Sequence, residues 1–323
     1  METPTYTMVE ISQIDVSDMT YRISIDENID DLITSISKVG LITPILLQKK
    51  DLQTYRIISG FKRVAAAGRL ELTAIPAFEY RDSEPSLDLF TLAVHANQSI
   101  KPLNSIELSI VCSQLESFFQ TSKSDIVQHY LPSLGYGCNP RVLELVTNLH
   151  TLPQEWKKAV IKDQVPLDIA QHILKQTSRD RELLWFLFQT LRLGKNRQRE
   201  FLVLLADVCR LEDISLAQLT ELEEVASILK NESWTPSQKA DHLKEWLWSK
   251  RYPEYTKIKN EFNHILSDAR LPANITIKAS PFFESDEFVA NISFRSETEF
   301  EYALTTLKKI LSNGGIKKIL SLT

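Results

Sequence analysis

The chain has 323 residues, 43% of them apolar and 24% charged, with 37 basic against 42 acidic side chains for a net charge of −5. That length accommodates two or three domains with real cores, and the apolar share excludes a disordered or fibrous chain. The charge balance excludes a diffuse cationic surface, so contact with nucleic acid has to come from a local patch.

No apolar run is long enough to cross a bilayer, and Met1-Glu2-Thr3-Pro4-Thr5 lacks the basic and apolar regions of a signal peptide. A cytoplasmic protein with no membrane partner is therefore expected. Cys112, Cys138 and Cys209 lie far apart, with no Cys-x-x-Cys pairing and no histidine at metal-site spacing, so they read as thiols in a reducing compartment and no metal site is expected.

In chain order, Asp26, Glu27, Asp30 and Asp31 suit the acidic start of a helix. The segment Ser35–Lys38 reads as a helix end capped by Gly40, followed by a Thr43-Pro44 corner and a β-rich run, Ile45–Leu47. Next, the apolar strand Ile57-Ile58-Ser59 runs into Gly60, Lys62, Arg63 and an Ala-rich helix. Strand, glycine, two cations and helix is an arrangement that can cradle a phosphate. The glycine lets the backbone approach a ligand, and the free N–H groups of the first helical turn favour an anion that the cations then neutralise. The same residues also suit a solvated corner. From Asn97 through Lys101 to Glu107, a polar segment opens a further helix.

Residues 106–115 have helical periodicity, and 124–131 form a short capped helix. A turn with Gly135, Gly137, Asn139 and Pro140 leads to a helix over Arg141–Leu149, in helix-turn-helix order. Arg141, Thr147 and Asn148 are the candidate DNA contacts; the alternative is a bundle in which Leu143, Val146 and Leu149 are core.

Residues 181–188, preceded by Ser178 and Asp180, form a core helix. The densest basic cluster follows, with Lys195, Arg197 and Arg199 beside Gly194, and suits either phosphate oxygens or a solvated loop. Helices are expected over 216–229 and 237–250, the second carrying Trp246 and Trp248. After Leu271-Pro272, segments 275–278 and 288–294 alternate as a hairpin does, with a turn at 281–286. Ser296 and Glu299 start a helix over 297–311 that Gly314-Gly315 ends. Such a β-β-α unit is marginal alone and should pack on the helices or pair with a second copy. No internal repeat stands out.

The block around Gly40, Leu41, Pro44 and Ile45, the block Gly60, Lys62, Arg63, Ala66 and Ala67, and the block Asn97, Lys101, Leu103, Asn104 and Glu107 together resemble the ParB N-terminal domain of the ParB/sulfiredoxin superfamily. The helix-turn-helix order and the segments at 153–156 and 165–170 extend the resemblance to about residue 175. It implies a ParB/sulfiredoxin-like α/β domain over 1–95 and a helical domain with a helix-turn-helix over 96–175; with the helical region read over 176–268 and the small β-β-α module over 269–323, the expected fold is α+β and predominantly helical.

The resemblance also implies a nucleotide pocket for CTP or another nucleotide with Mg²⁺, formed by Thr43, Gly60, Lys62, Arg63, Asn97 and Lys101. Its implied partners are DNA, a partition ATPase and a second copy of the chain. Two acidic positions of the family are lost, to Phe61 and Ala96, which removes natural oxygen ligands for Mg²⁺. Weak or altered nucleotide binding and no catalytic residue are the expectation. Phe61 also stands where sulfiredoxins carry their catalytic cysteine, so that thiol chemistry is lost. The expected function is DNA-binding or DNA-associated regulation or partition with a divergent, vestigial pocket. A protein-interaction scaffold is the alternative, and a phosphotransferase or nuclease ranks last because its acidic constellation is missing.

Overall fold

The structure is a computed structural model and describes residues 3–25, 28–81, 85–280, 283 and 285–322. Asp26 and Glu27 of the expected helix start, Pro281, Phe282 and Glu284 of the expected turn, and Met1 and Glu2 lie outside the described residues. The chain forms two compact units, Met1–Thr177 and Ser178–Thr323.

In the first unit a five-stranded sheet has the order β1-β5-β3-β4-β2, with β1 Thr5–Glu10, β2 Ile14–Asp15, β3 Ile45–Lys49, β4 Tyr55–Ser59 and β5 Ala74–Tyr80. The β1/β5 and β3/β4 pairs are antiparallel, while β3/β5 and β2/β4 are parallel. Every residue of β4 is buried, as its unbroken Tyr-Arg-Ile-Ile-Ser run requires of a strand covered on both faces. Val9, Ile45, Leu47, Ile57 and Ile75 form the sheet core.

Two helices frame the sheet's central turn: α1 Asp30–Val39, closed by Gly40 at φ 74°, and α2 Phe61–Arg69, which pack on each other. The helix α3 Leu87–Gln98 packs on β4. Next comes α4 Ser105–Ser113, whose start is a capping box: Asn104 accepts from the Glu107 N–H and Glu107 accepts from the Asn104 N–H. A wider turn, Gln114–Phe118, extends α4. The helices α5 Lys123–Asp125 and α6 Leu131–Ser133 flank another such turn, Ile126–Tyr130, and α7 Pro140–Val146, α8 Gln154–Ile161 and α9 Leu167–Leu174 complete the unit.

The second unit contains α10 Ser178–Leu191, α11 Lys195–Leu211, α12 Leu216–Glu221, α13 Glu223–Lys230, α14 Pro236–Arg251 and α15 Pro253–Ala269. The single helix expected over 216–229 is broken at Leu222, whose backbone is extended (ψ 136°). Leu219 and Val225 are both fully buried, and six residues apart they would stand about 120° apart on one continuous helix. The break lets both enter the core. Helices α11 and α14 pack side by side and run parallel, joined by the ion pairs Arg197–Asp241, Glu200–Lys244 and Asp207–Arg251, which keep the same sequence offset throughout.

The expected hairpin is present as β6 Ile275–Ala279 antiparallel to β7 Phe288–Ile292, with Ile275 opposite Ile292. It is followed by α16 Glu297–Ser312 and by α17 Gly315–Leu320, a helix beyond the expected β-β-α unit. Phe262 of α15, Ile277 of β6 and Ile319 of α17 share one core, so the module packs on the preceding helix.

Candidate functional site

β4 delivers the chain into Gly60, which has φ 110° and caps the start of α2. Two independent constraints demand glycine there. The left-handed backbone disfavours any side chain, and a Cβ would lie 2.6 Å from Ile45 Cγ2 on the neighbouring strand. The Gly60 carbonyl then accepts from the Val64 N–H at 3.0 Å, starting the helix. Lys62 and Arg63 stand half-buried in the first turn of α2, beside its unsatisfied backbone N–H groups.

Arg63 joins the first two sequence blocks. Its Nη1 donates to the Thr43 carbonyl at 2.7 Å and to the Pro44 carbonyl at 2.8 Å, holding the loop that leads into β3 against α2. Burial lowers its pKa from the ordinary guanidinium value. Thr43 itself is exposed, so Thr43, Gly60 and Arg63 are brought together.

The third block begins at the end of α3 and runs into the start of α4, and its hydrogen bonds stay within residues 93–107 rather than reaching the Gly60 turn. Asn97 Nδ2 donates to the Ala93 carbonyl at 2.8 Å, and the Asn97 carbonyl accepts from the Lys101 N–H at 3.3 Å. Lys101 Nζ lies 3.0 Å from Glu107 Oε1, a carboxylate that is 1% exposed and also serves the capping box. Lys101 thus neutralises a buried acid.

A phosphate-bearing anion fits the Gly60 turn, where helix N–H groups and two cations meet. A divalent cation does not. Phe61 packs its ring against the sheet core, Ala96 offers no oxygen, and the charged side chains at the turn are both cationic. Among the described residues, no group of three or more His, Cys, Asp or Glu could hold a metal ion.

Sequence reasoning missed a polar network on the same sheet. Arg56 Nε donates to Asp18 Oδ2 at 2.6 Å and Arg56 Nη1 to Gln48 Oε1 at 3.0 Å, while the Tyr21 hydroxyl donates to the same Gln48 oxygen at 3.0 Å. Lys50 bridges Asp15 and Asp18 at 2.9 and 3.1 Å. Burial works to raise the Asp18 pKa, yet hydrogen bonds from Thr20, Arg56 and Lys50 hold it well below the carboxylate range. Asp15 is held to about 2, first by Ser17 and then by Lys50. These partners lie up to 38 positions apart in sequence, so no local motif marks them.

In the helical part of the first unit, the expected helix over Arg141–Leu149 ends at Val146. Thr147 has extended ψ (127°), its hydroxyl donates back to the Leu143 carbonyl, and Asn148 is left-handed (φ 59°). Gln171 Nε2 closes the end by donating to the Leu145 and Thr147 carbonyls. Leu143, Val146 and Leu149 are all core. Arg141, 65% exposed, pairs with Glu144 on the same helix. Thr147 and Asn148 therefore stand at the opposite end of α7 from Arg141, in the turn that leaves the helix.

In the second unit Lys195 begins α11, Arg197 is engaged by Asp241, and Arg199 Nη1 donates to Asn196 Oδ1 at 3.4 Å. The cysteines are unbridged; Cys112 is buried, and its thiol is pushed up to about 12.

Comparison with known proteins fits the N-terminal geometry. Residues 1–86 match the profile of the ParB N-terminal domain. The nucleoid occlusion protein of Lysinibacillus sphaericus (strain C3-41) is 27% identical over 142 residues, covering 43% of this chain and 44% of that protein, so the chain matches less than half of that relative's length. Solved structures with similarity include the C-terminally truncated chromosome-partitioning protein ParB from Caulobacter crescentus complexed with CTP-gamma-S. It has 20% identity and TM-score 0.26, covering 55% of this chain and 96% of that one. The same protein complexed to the centromeric parS site has 19% identity and TM-score 0.33, covering 53% and 86%. The profile match therefore sets the likeness to the ParB N-terminal domain on residues 1–86, the part of the chain that carries the Gly60 turn.

Proposed function

We propose that this chain is a DNA-associated protein of the ParB type whose N-terminal domain holds a phosphate-bearing ligand, a nucleotide, at the Gly60 turn without a metal bound by the protein. The observation that carries this reading is the lock between the first two blocks: a glycine whose site leaves no room for a Cβ, and an arginine that ties the Thr43-Pro44 loop to the helix start where Lys62 stands. That construction keeps an anion-binding helix start while its acidic companions are gone. DNA contact falls to the helical region through Arg141, Thr147 and Asn148, with Lys195 and Arg199 as phosphate contacts in the second unit and Arg197 held by Asp241. Hydrolysis is not expected, because among the described residues no group of three or more His, Cys, Asp or Glu stands together to hold a metal.

Titration calorimetry of CTP, ATP, GTP and UTP with and without Mg²⁺ tests the pocket. Binding that is lost in Lys62→Ala and indifferent to Mg²⁺ supports the reading; silence with all four nucleotides in a folded protein removes it. One observation favours the scaffold alternative: Arg63, Lys101, Arg141 and Arg197 all have intramolecular acceptors or acids. Under that reading the domain binds neither nucleotide nor DNA and serves only to dock partners.

A further inference from the structure

After Glu301 the chain carries no acidic residue and four lysines. They fall in two copies of one pentapeptide, Lys308-Lys309-Ile310-Leu311-Ser312 and Lys317-Lys318-Ile319-Leu320-Ser321, a repeat too short to stand out in sequence analysis. The first copy ends α16 and the second spans the end of α17. Both have the same exposure pattern: the lysines, leucine and serine face solvent while the isoleucine is buried, 6% exposed at Ile310 and 2% at Ile319.

The joint between the copies is fixed by two glycines. Gly314 is left-handed (φ 74°), and a Cβ on Gly315 would lie 2.8 Å from Ile310 Cγ2 and 3.2 Å from the Ile310 carbonyl oxygen. The isoleucines thus act as anchors: Ile319 enters the core with Phe262 and Ile277, and Ile310 packs at the joint. What remains outside is Lys-Lys-Leu, twice, with Leu311 63% and Leu320 54% exposed. In a chain of net charge −5, this segment gathers four exposed lysines, no acidic side chain and two leucines more than half exposed.

We propose that this duplicated motif is a peripheral docking surface for an anionic lipid bilayer. Anionic headgroups complement the four lysines, and the acyl boundary just beneath them takes the two leucines, the division of labour of surface-bound basic amphipathic segments. Duplex phosphates would use the lysines but leave the leucines against charge and water, so the leucines favour the bilayer. Docking is peripheral, since among the described residues no helix is long and apolar enough to cross a membrane. The surface lies away from the Gly60 turn in sequence and does not depend on the nucleotide reading.

Co-sedimentation of the full chain with vesicles of phosphatidylcholine alone, and of phosphatidylcholine mixed with phosphatidylglycerol, tests the proposal. Binding is expected only with the anionic vesicles, weakening as salt shortens the screening length. Changing Lys308, Lys309, Lys317 and Lys318 together to Gln is expected to lower partitioning more than a hundredfold, about fivefold per charge. The double change Leu311→Ser and Leu320→Ser keeps every charge, alters only exposed side chains, and is expected to lower partitioning about tenfold. Failure to bind anionic vesicles, or equal binding by the wild type and the quadruple variant, would overturn it. So would a surface whose lysines, but not leucines, matter for retention on a duplex of arbitrary sequence, which would assign it to nucleic acid.

Discussion

Arg63 Nη1 donates to the Thr43 carbonyl at 2.7 Å, joining residues twenty positions apart across the mouth of the Gly60 turn. The same nitrogen reaches Pro44, so one guanidinium sets the distance between the β3 entry loop and the first turn of α2. Replacing it with Ala should destabilise the unit by about 1–2 kcal/mol, since charged hydrogen bonds to the exposed Thr43 and the partly buried Pro44 carbonyls are lost. Arg63→Lys should recover less than half of that, because an ammonium lacks the planar fork. Urea denaturation of both variants checks the order; equal stability of wild type and Ala variant would contradict it.

Gly60→Ala should cost about 3 kcal/mol, combining left-handed strain with overpacking against Ile45. Gly40→Ala is the internal control. It has no atom within 4 Å of the new methyl, so its cost is backbone strain alone, about 1–3 kcal/mol for φ 74° with ψ −177°, a combination essentially confined to glycine. Similar unfolding midpoints for the two variants would show that the Ile45 contact is not limiting.

Acid should weaken the first unit through Asp15 and Asp18. Both carboxyls titrate below their ordinary value of 3.8, so their contribution is present above that pH and is lost as pH falls through the folded values, near 2 for Asp15. Stability measured from pH 5 to pH 2 should therefore fall, and Asp18→Asn should flatten the curve while lowering stability at pH 7. A variant with the wild-type acid profile would remove Asp18 from the account.

How far the sequence announced this arrangement depends on how local each cause is. Gly60 was legible as a turn because it separates an apolar strand from an Ala-rich helix, and Gly40 because helix ends select glycine where φ turns positive. The end of α7 at Val146 was not legible, since Gln171 closes it from 24 positions away at the Thr147 carbonyl. The Arg56–Asp18–Gln48–Tyr21 network escaped for the same reason. The break at Leu222 follows from which apolar residues must be buried together, which periodicity within one segment does not reveal.

Asp241→Asn should change stability by less than about 1 kcal/mol, because the Arg197–Asp241 pair is partly exposed and belongs to a ladder that Glu200–Lys244 and Asp207–Arg251 continue. It should also release Arg197 for an external anion. If Arg197 then reaches a DNA phosphate, the log–log salt dependence of DNA affinity should steepen by roughly 0.9 relative to wild type. An unchanged slope would leave Arg197 as a packing residue.

The most direct test of DNA association is fluorescence anisotropy of a labelled duplex titrated with the full chain across a salt series. With Arg141, Lys195 and Arg199 as phosphate contacts, the slope of log affinity against log salt should be roughly −2.7, and each Ala substitution among them should remove roughly 0.9. Absence of binding at low salt, or an affinity indifferent to both salt and the triple alanine variant, would contradict the DNA reading and leave the scaffold in its place.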